Sequence, residues 1–484
     1  MPQPTRYLTP ADRLKQNPVH VVWEITLACD LKCHHCGSRA GKRRPTELST
    51  EECLDVVRQL AALGAREVTL IGGEAYLRPD WTKIIREVRR NGMDCTAQSG
   101  GLNLTEKRVA EAAEAGLQAM GISLDGLPEL HNRLRGVPRS FEAAIDALER
   151  LRRHGITTSV NTQITTLVIP ELRDLFQLIL KTGARNWQVQ LTVAMGRAAD
   201  NPDILLQPYE LLELMPLLAE LYREGVEHGL LLQPGNNIGY FGPYESVWRG
   251  SGDDRIYWGG CNAGKNTMGI EADGTIKGCP SLATSAFAGG NVRDLTVEQI
   301  WEGTEELNFN QSVGRDDLWG YCRSCYYADS CHGGCTWTAH SLFGRAGNNP
   351  YCHHRALELK RIGLRERVMQ VARAPGESFD HGYFDLVLEK RVGDEWRRAD
   401  SDSVVSAGSL VQIKPRRRLS PPKAHTEQRK PSLVLCRACS RHVRRGTRVC
   451  PHCGADVRVA ASNYKSDLRV AEEACRDLLD LIDV

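Results

Sequence analysis

Cys29-Asp30-Leu31-Lys32-Cys33-His34-His35-Cys36 places three cysteines and two histidines within one short loop. Thiolates in C-x3-C-x2-C spacing can hold three irons of a [4Fe-4S] cube, which leaves the fourth iron open to a substrate or cofactor. The same residues also admit zinc, with His34 or His35 closing a four-ligand shell. Outward from the loop, residues 21–27 (VVWEITL) form a β-branched apolar run that enters it directly. On the other side, Ser49-Thr50-Glu51-Glu52 is a capping box that opens a helix through about Leu63.

This strand, loop and helix pattern repeats. Strand-like runs at 67–71, 94–97, 119–123, 158–164 and 187–191 alternate with helical patterns at 81–90, 105–115, 141–154 and 171–180. Six strand–helix units imply an α/β fold with parallel strands and helices outside. A barrel and a doubly wound sheet both satisfy that alternation.

Gly72-Gly73-Glu74 ends the second strand, where glycines let backbone approach a ligand and a carboxylate can receive an ammonium. With the cysteine loop at the end of the first strand, it resembles the radical S-adenosylmethionine (SAM) superfamily. The resemblance implies a partial (βα)6 radical SAM barrel over residues 18–235, after an extension at 1–17, with its site at the strand C-terminal ends. It implies that Cys29, Cys33 and Cys36 carry a [4Fe-4S] cluster whose open iron binds SAM, and that Gly72, Gly73 and Glu74 meet the SAM amino group. Ser99 ends strand three as a further cofactor contact, and Ser123 and Asp125 resemble the family's ribose and carboxylate contacts. Arg135 is similar to an arginine near the SAM carboxylate; its other reading is a solvated arginine at a helix start. Asn161 and Gln188 or Gln190 are polar residues on apolar strands, and Gln190 is the one taken as a cofactor contact. Met195-Gly196-Arg197-Ala198 resembles a segment beside the adenosyl group.

A second cysteine field begins at Cys261. Gly274 to Cys279 gives G-x4-C, Cys322-x2-Cys325-x5-Cys331-x3-Cys335 follows, and Cys352 lies beyond. This seven-cysteine order resembles the SPASM domain of radical SAM maturases, expected here over 236–369. By that resemblance, Cys261, Cys279 and Cys335 hold auxiliary cluster I, and Cys322, Cys325, Cys331 and Cys352 hold auxiliary cluster II. Cluster I is then one ligand short: either Asp253 or Asp254 completes it, or one iron is open, and the open site is preferred. A pair of zinc knuckles is the structural alternative, but ligands interleaved over so long a stretch do not make a compact zinc finger.

The 484 residues carry a formal net charge of +2, which gives the whole chain no bias toward nucleic acid or membrane. No run of apolar residues is long enough for a span, and no signal-peptide core is present, so a cytoplasmic protein is expected. Seventeen cysteines in a reducing compartment read as metal ligands before disulfides, with Cys53, Cys95 and Cys475 as ordinary structural cysteines.

The resemblance implies three [4Fe-4S] clusters and SAM as cofactors, and a reductant such as flavodoxin or ferredoxin. The SAM-derived 5′-deoxyadenosyl radical takes hydrogen from unactivated carbon, and the auxiliary clusters suit net oxidation. A peptide or small-protein substrate, with or without a leader, is expected, with C-C or C-S crosslinking as the leading outcome. Sulfatase maturases place an acidic residue directly after the G-x4-C cysteine, where this chain has Pro280. Heme-pathway SPASM enzymes form a third group. A metal-containing nucleic-acid or protein binding module is the rival from another class, and no nucleic-acid partner is expected on the enzyme reading.

After residue 369 the resemblance ends. Short strands at 384–388 and 410–413 suggest a small β segment over 370–413, followed by a basic proline-rich linker at 414–431. Residues 414–449 hold twelve Lys or Arg against Glu427, a patch that suits an acidic leader peptide, a partner protein or nucleic acid, with a solvated tether as the alternative. Cys436-x2-Cys439 and Cys450-x2-Cys453 read as a closed zinc ribbon for Zn2+ at 432–461. A helix at 462–484, with Leu468, Ala471 and Leu478 at helical spacing, is expected to pack on the ribbon or on a partner.

Overall fold

The computed structural model describes residues 8–9, 12, 15–249, 256–399, 404–405 and 432–482. Seven strands run parallel in chain order: β1 (His20–Glu24), β2 (Glu67–Ile71), β3 (Asp94–Ser99), β4 (Ala119–Ser123), β5 (Thr157–Ile164), β6 (Asn186–Leu191) and β7 (Leu231–Pro234). On the other flank of β1 the sheet continues with parallel β8 (Thr267–Ile270), then antiparallel β9 (Thr275–Lys277) and β10 (Ala288–Asn291). The sheet is an open path ending at β7 and β10, a partial barrel. The expected six parallel strands thus extend by β7 and β8. Both are only four residues long, and β7 ends in Pro234, so neither carries a full alternating pattern.

Strand alternation sorts side chains to two faces. Val21 and Trp23 of β1, Val68 and Leu70 of β2, and Trp187, Val189 and Leu191 of β6 join one core cluster with the helices outside. Those helices begin where the sequence places their caps. Ser49 accepts from the Glu52 N–H and Glu52 reaches back to the Ser49 N–H, opening the helix Thr50–Ala62. The opposite strand face is polar. His20 meets Thr69 (2.9 Å), Thr69 meets Thr96 (2.8 Å) and Thr96 donates to Glu67 (3.0 Å), a hydrogen-bonded layer across three strands. Above it, Asn161 of β5 donates to Gln98 of β3 across Gly121 of β4. A Cβ on Gly121 would stand 2.0 Å from Gln98 Oε1, so only glycine lets the two amides meet.

Cys261 and Cys279 flank β8 and β9, and beyond β10 the chain continues in short helices that carry Cys322 to Cys352, ending in the helix His353–Arg361. An antiparallel sheet follows: β11 (Leu364–Ala372), β12 (Tyr383–Val392), β13 (Glu395–Arg398) and β14 (Val404–Val405). The strand expected at 384–388 lies within β12. β11 crosses the expected 369/370 boundary, because its register with β12 continues through Met369↔Asp385. The strand expected at 410–413 and the linker at 414–431 lie outside the described residues.

The ribbon hairpin pairs β15 (Leu433–Cys436) with β16 (Arg441–Arg444). The final helix, Val457–Ile482, starts inside the expected ribbon because Asp456 Oδ1 accepts from the N–H groups of Arg458 and Val459. Val457 is buried against the ribbon, but Leu468 and Val470 are exposed, so the expected packing of this helix on the ribbon ends within its first turns. Among the described residues, no helix is long and apolar enough to cross a membrane.

Candidate active site and metal centres

The cysteine loop leaves β1 and is closed at its neck by backbone hydrogen bonds. Cys29 N–H donates to Gly41 O (3.1 Å), and Gly41 N–H donates to Leu27 O (2.9 Å). Glu47, buried beneath, accepts from Thr26 Oγ1 (3.0 Å) and the Leu27 N–H (2.9 Å). The loop is also gripped from its sides: Lys32 and His34 donate to the carbonyls of Arg135 and Leu134. Opposite them, Arg197 Nε donates to Cys33 O (2.7 Å). Three thiols are thereby held at the C-terminal end of β1, where the sequence places them.

The Gly72-Gly73-Glu74 turn lies directly on this loop. Glu74 N–H donates to Ala28 O at 2.7 Å. A Cβ on Gly73 would sit 1.9 Å from that same oxygen, so the approach requires glycine. Glu74 is buried and accepts from Ser99 Oγ (2.6 Å) and the Gly100 N–H (2.6 Å). Burial pushes its carboxyl up to about 7, tempered by the Ser99 hydrogen bond. A carboxylate so placed gains from an arriving ammonium, which fits the amino group of SAM.

Asp125 and Arg135 form the other wall. Arg135 Nη2 lies 2.6 Å from Asp125 Oδ2, and Arg135 Nη1 lies 3.6 Å from Cys33 Sγ. Arg135 ends the helix Pro128–Arg135 and is buried, so the reading of it as a solvated helix-start residue is overturned. Burial alone would raise the Asp125 carboxyl, but Arg135 and then His35 outweigh it and hold it well below the usual range. His35 Nε2 contacts Asp125 Oδ2 at 3.1 Å, which commits its ring to the carboxylate. The Nε of Arg135 is buried without a partner and is available to a ligand's carboxylate.

Ser123 ends β4 in register with Asn161. Gln190 sits on the half-buried face of β6, alternating with buried Val189 and Leu191. Met195 follows β6, packs beneath Gly37, and takes a hydrogen bond from Trp337 Nε1 (3.2 Å). Gly196 has φ 57° and ψ −133°, and a Cβ there would meet the carbonyls of Cys36 and Gly37 at 2.4 Å. Of these residues, Met195 and Gly196 lie directly against the cysteine loop, at Gly37 and Cys36.

The second cysteine field separates into two sets. Cys261 and Cys279 share one apolar cluster with Met195 and Trp337. Cys335 is close enough to both for their charges to act on its thiol, which burial, then Cys261, push up to about 12. Cys322, Cys325, Cys331 and Cys352 line a single cavity with Tyr240, Tyr327 and Arg355. Both sets suit cations, because grouped thiols are held together as thiolates by a bound metal. Asp253 and Asp254, weighed as a fourth ligand for the first set, lie outside the described residues.

At the ribbon, Cys436 and Cys453 sulfurs lie 3.9 Å apart, and those of Cys439 and Cys450 lie 3.8 Å apart. A tetrahedron with Zn–S bonds of about 2.3 Å has edges of about 3.8 Å, so the four thiols fit zinc.

Sequence reasoning missed Tyr240, Tyr327 and Arg39. Tyr240 touches both auxiliary sets: its hydroxyl accepts from the Cys335 N–H (3.1 Å), and its carbonyl faces Cys352 Sγ (3.7 Å). Only its place in an aromatic pair, Tyr240-Phe241, signalled it. Arg39 holds Asp200 and Asp380 from a left-handed backbone (φ 52°), a link that joins residues too far apart in sequence to be read together.

This arrangement is that of an iron-sulfur radical enzyme. Residues 23–181 match the Radical SAM superfamily, and residues 261–326 match SPASM, an iron-sulfur cluster-binding domain. The chain is 30% identical over 327 residues to mycofactocin maturase MftC of Mycobacterium ulcerans, covering 66% of this chain and 83% of that protein. It is 29% identical over 375 residues to the AdoMet-dependent heme synthase of Oleidesulfovibrio alaskensis, covering 73% and 90%. The fold matches SuiB of Streptococcus suis, solved with bound S-adenosylmethionine, at TM-score 0.55 and 18% identity over 70% and 76% of the two chains. The chain belongs to the radical SAM superfamily as a SPASM-bearing oxidoreductase.

Proposed function

We propose that this enzyme is a maturase that oxidatively modifies a ribosomally synthesised peptide or small protein, by forming a C-C or C-S crosslink. When bound, SAM and its cluster supply a 5′-deoxyadenosyl radical for hydrogen abstraction, and auxiliary clusters supply an acceptor for the second electron. On this reading Cys29, Cys33 and Cys36 hold the SAM cluster. Cys261, Cys279 and Cys335 hold auxiliary I, and Cys322, Cys325, Cys331 and Cys352 hold auxiliary II. Glu74 receives the SAM ammonium, while Arg135, fixed by Asp125, receives its carboxylate. Met195 forms the floor between the cysteine loop and the first auxiliary set. Zn2+ on Cys436, Cys439, Cys450 and Cys453 closes the ribbon.

The observation that favours a peptide over a tetrapyrrole substrate is that three cations between the cysteine loop and the first auxiliary set are already paired. Arg39 is held by Asp200 and Asp380, Arg197 by the carbonyls of Cys33 and Ala40, and Lys277 by Glu271 and Leu282 O. A heme precursor brings carboxylates that need free cations, whereas a peptide backbone needs only hydrogen-bonding groups. The second reading, oxidation of a heme precursor, is favoured by the greater share of the chain aligned with the heme synthase.

Anaerobic reconstitution with iron and sulfide, followed by SAM and dithionite, tests the radical chemistry through formation of 5′-deoxyadenosine. About twelve irons per chain are expected for three cubes. Loss of two hydrogen atoms from a short peptide encoded beside the gene, read by mass spectrometry, supports the maturase. Conversion of a heme precursor with every such peptide unchanged overturns it. Replacing Cys29, Cys33 and Cys36 by Ala abolishes SAM cleavage and leaves the other metals in place.

A further inference from the structure

The connection between β11 and β12 lies outside both matched regions, and the reading above gives it no role. Its tip, residues 376–381, reaches back to the cysteine loop. Phe379 N–H donates to Gly37 O (3.1 Å), beside Cys36, and Ser378 Oγ donates to Ser38 O (2.9 Å). On the other side, Gly196 N–H donates to Asp380 O (2.8 Å), and Met195 and His381 form an antiparallel bridge. The tip is thus a turn, with left-handed Phe379 in it, held to the cysteine loop and to the Met195-Gly196 segment by main-chain hydrogen bonds. Main-chain hydrogen bonds for affinity and a pocket for one side chain are also what hold a bound peptide on a protein.

The pocket is filled by Phe379. Its ring is buried with Met195, Leu282, Ala283 and Phe287, and Cys261 and Cys279 pack on the same cluster. Lys277 Nζ lies 3.7 Å from the ring centroid. The ring thus stands between the SAM-cluster cysteines and the first auxiliary set. A substrate C–H bond has to lie in that interval, within reach of the radical and beside the electron acceptor.

Two features mark the tip as an occupant rather than ordinary core. Phe379 has φ 57°, a left-handed backbone unusual for a bulky side chain, whereas its neighbours on the far side, Pro375, Gly376 and Glu377, are exposed. Polar contacts supply the hold beneath the tip: Arg39 donates to Asp380 Oδ1 (2.8 Å) and to Glu377 O (3.1 Å). Arg39 and Asp380 are largely shielded from water, with side-chain exposures of 14% and 6%, so an entering peptide has to take over these polar contacts as the tip leaves. The pocket's own chemistry selects the ring. Lys277 is already paired with Glu271 at 2.7 Å, so it offers the cation–π attraction of a neutralised ammonium and no free charge for a carboxylate.

We infer that residues 377–381 are an intramolecular stand-in for the substrate, and that the seat they fill receives a peptide segment whose aromatic side chain replaces Phe379 over Lys277. This rests on the peptide reading and specifies the residue class that reading leaves open. The hairpin tip withdraws when the substrate enters and returns when it leaves.

The test is binding of N-acetyl-L-phenylalaninamide, with N-acetyl-L-leucinamide as control, to the reconstituted holoenzyme by calorimetry. Phe379→Ala, by emptying the seat, binds the phenylalanine amide about tenfold tighter than the wild type, the reciprocal of the wild type's open fraction. The leucine amide shows no such gain. Asp380→Asn, which removes the charge from one of the Arg39 contacts to the tip but keeps the ring, tightens binding of the same amide in the same direction. In the wild type, saturating amide raises hydrogen exchange at residues 376–381. Phe379→Ala that retains iron content and melting temperature but binds neither amide more tightly, or both equally, overturns the inference. If Phe379→Ala loses its iron, unchanged affinity in Asp380→Asn overturns it instead. Failure of the peptide reading looks different: the amide still binds, while peptide masses stay unchanged.

Discussion

Tyr327 and His452 join the ribbon's cysteine turn to the cysteine set of Cys322, Cys325, Cys331 and Cys352. The Tyr327 hydroxyl lies 2.9 Å from His452 Nε2, in the ribbon's Cys450-Pro451-His452-Cys453 turn, while the Tyr327 N–H donates to Cys325 Sγ at 3.4 Å. The same hydroxyl donates its proton to His442 O at 2.6 Å, so His452 Nε2 carries the hydrogen of the other bond. The ring is stacked on Phe241, with centroids 4.1 Å apart, within the cluster that contains Cys331 and Cys335. The ribbon therefore caps the second auxiliary set through one side chain.

Tyr327→Phe removes both hydroxyl contacts without changing the stacking. Stranding the buried His442 carbonyl and His452 N–H costs about 1–3 kcal/mol. A lower melting temperature with zinc retained is expected, together with faster loss of iron from the second auxiliary set to a chelator. Iron release at the wild-type rate would show that the ribbon does not protect that set.

Gly73→Ala places a methyl group where the Ala28 carbonyl now lies, 1.9 Å from the new Cβ. Backbone must move, and what moves is the neck of the cysteine loop. The variant is expected to lose the iron of that loop, about a third of the total in a three-cluster enzyme, and to lose SAM cleavage while its auxiliary iron and ribbon zinc remain. Metal analysis with electron paramagnetic resonance reads the difference.

Arg135→Met leaves Asp125 fully buried without its guanidinium partner, with the His35 ring still on its Oδ2. Breaking a buried pair from one side costs about 3–5 kcal/mol. Thermal unfolding of the apoprotein measures that loss. Asp125→Asn combined with Arg135→Met should recover part of it, because no uncompensated carboxylate is left.

Glu24 gives a pH dependence. Its carboxyl is buried on β1, and burial pushes it up to about 8, partly offset by Arg44 at 3.8 Å. The folded chain keeps this proton at pH values where the unfolded chain, near 4.5, has lost it. The stability it contributes is thus fully present below 4.5 and declines as pH rises toward about 8. Glu24→Gln should flatten the fall of melting temperature over that window. A wild-type slope in the variant would place the titration elsewhere.

The local signals in the chain were strong wherever the physics is local. The capping box at Ser49, the apolar runs of the strands and the spacings of the cysteines each depend on residues a few positions apart. They fixed the helix at Thr50–Ala62, the parallel strands, and the ribbon thiols. β7 and β8 escaped because a four-residue strand has too few alternations to stand out from a loop. Burial of Arg135 escaped for another reason. A charged residue near a helix end looks solvated until its partner is seen, and Asp125 lies in the turn before that helix, brought to Arg135 only when the helix folds back on the cysteine loop.

By itself, then, the sequence determined the class of fold and the spacing of the cysteine motifs, because motif spacing and strand periodicity are short-range properties of the chain. Only the tertiary structure decided what stands between those sets. Tyr327 against His452, Arg39 against Asp380, and Phe379 against Lys277 are each separated by about a hundred residues or more in the chain. Such contacts arise from the packing of distant elements into one interior, where close approach depends on the whole fold and not on any local pattern.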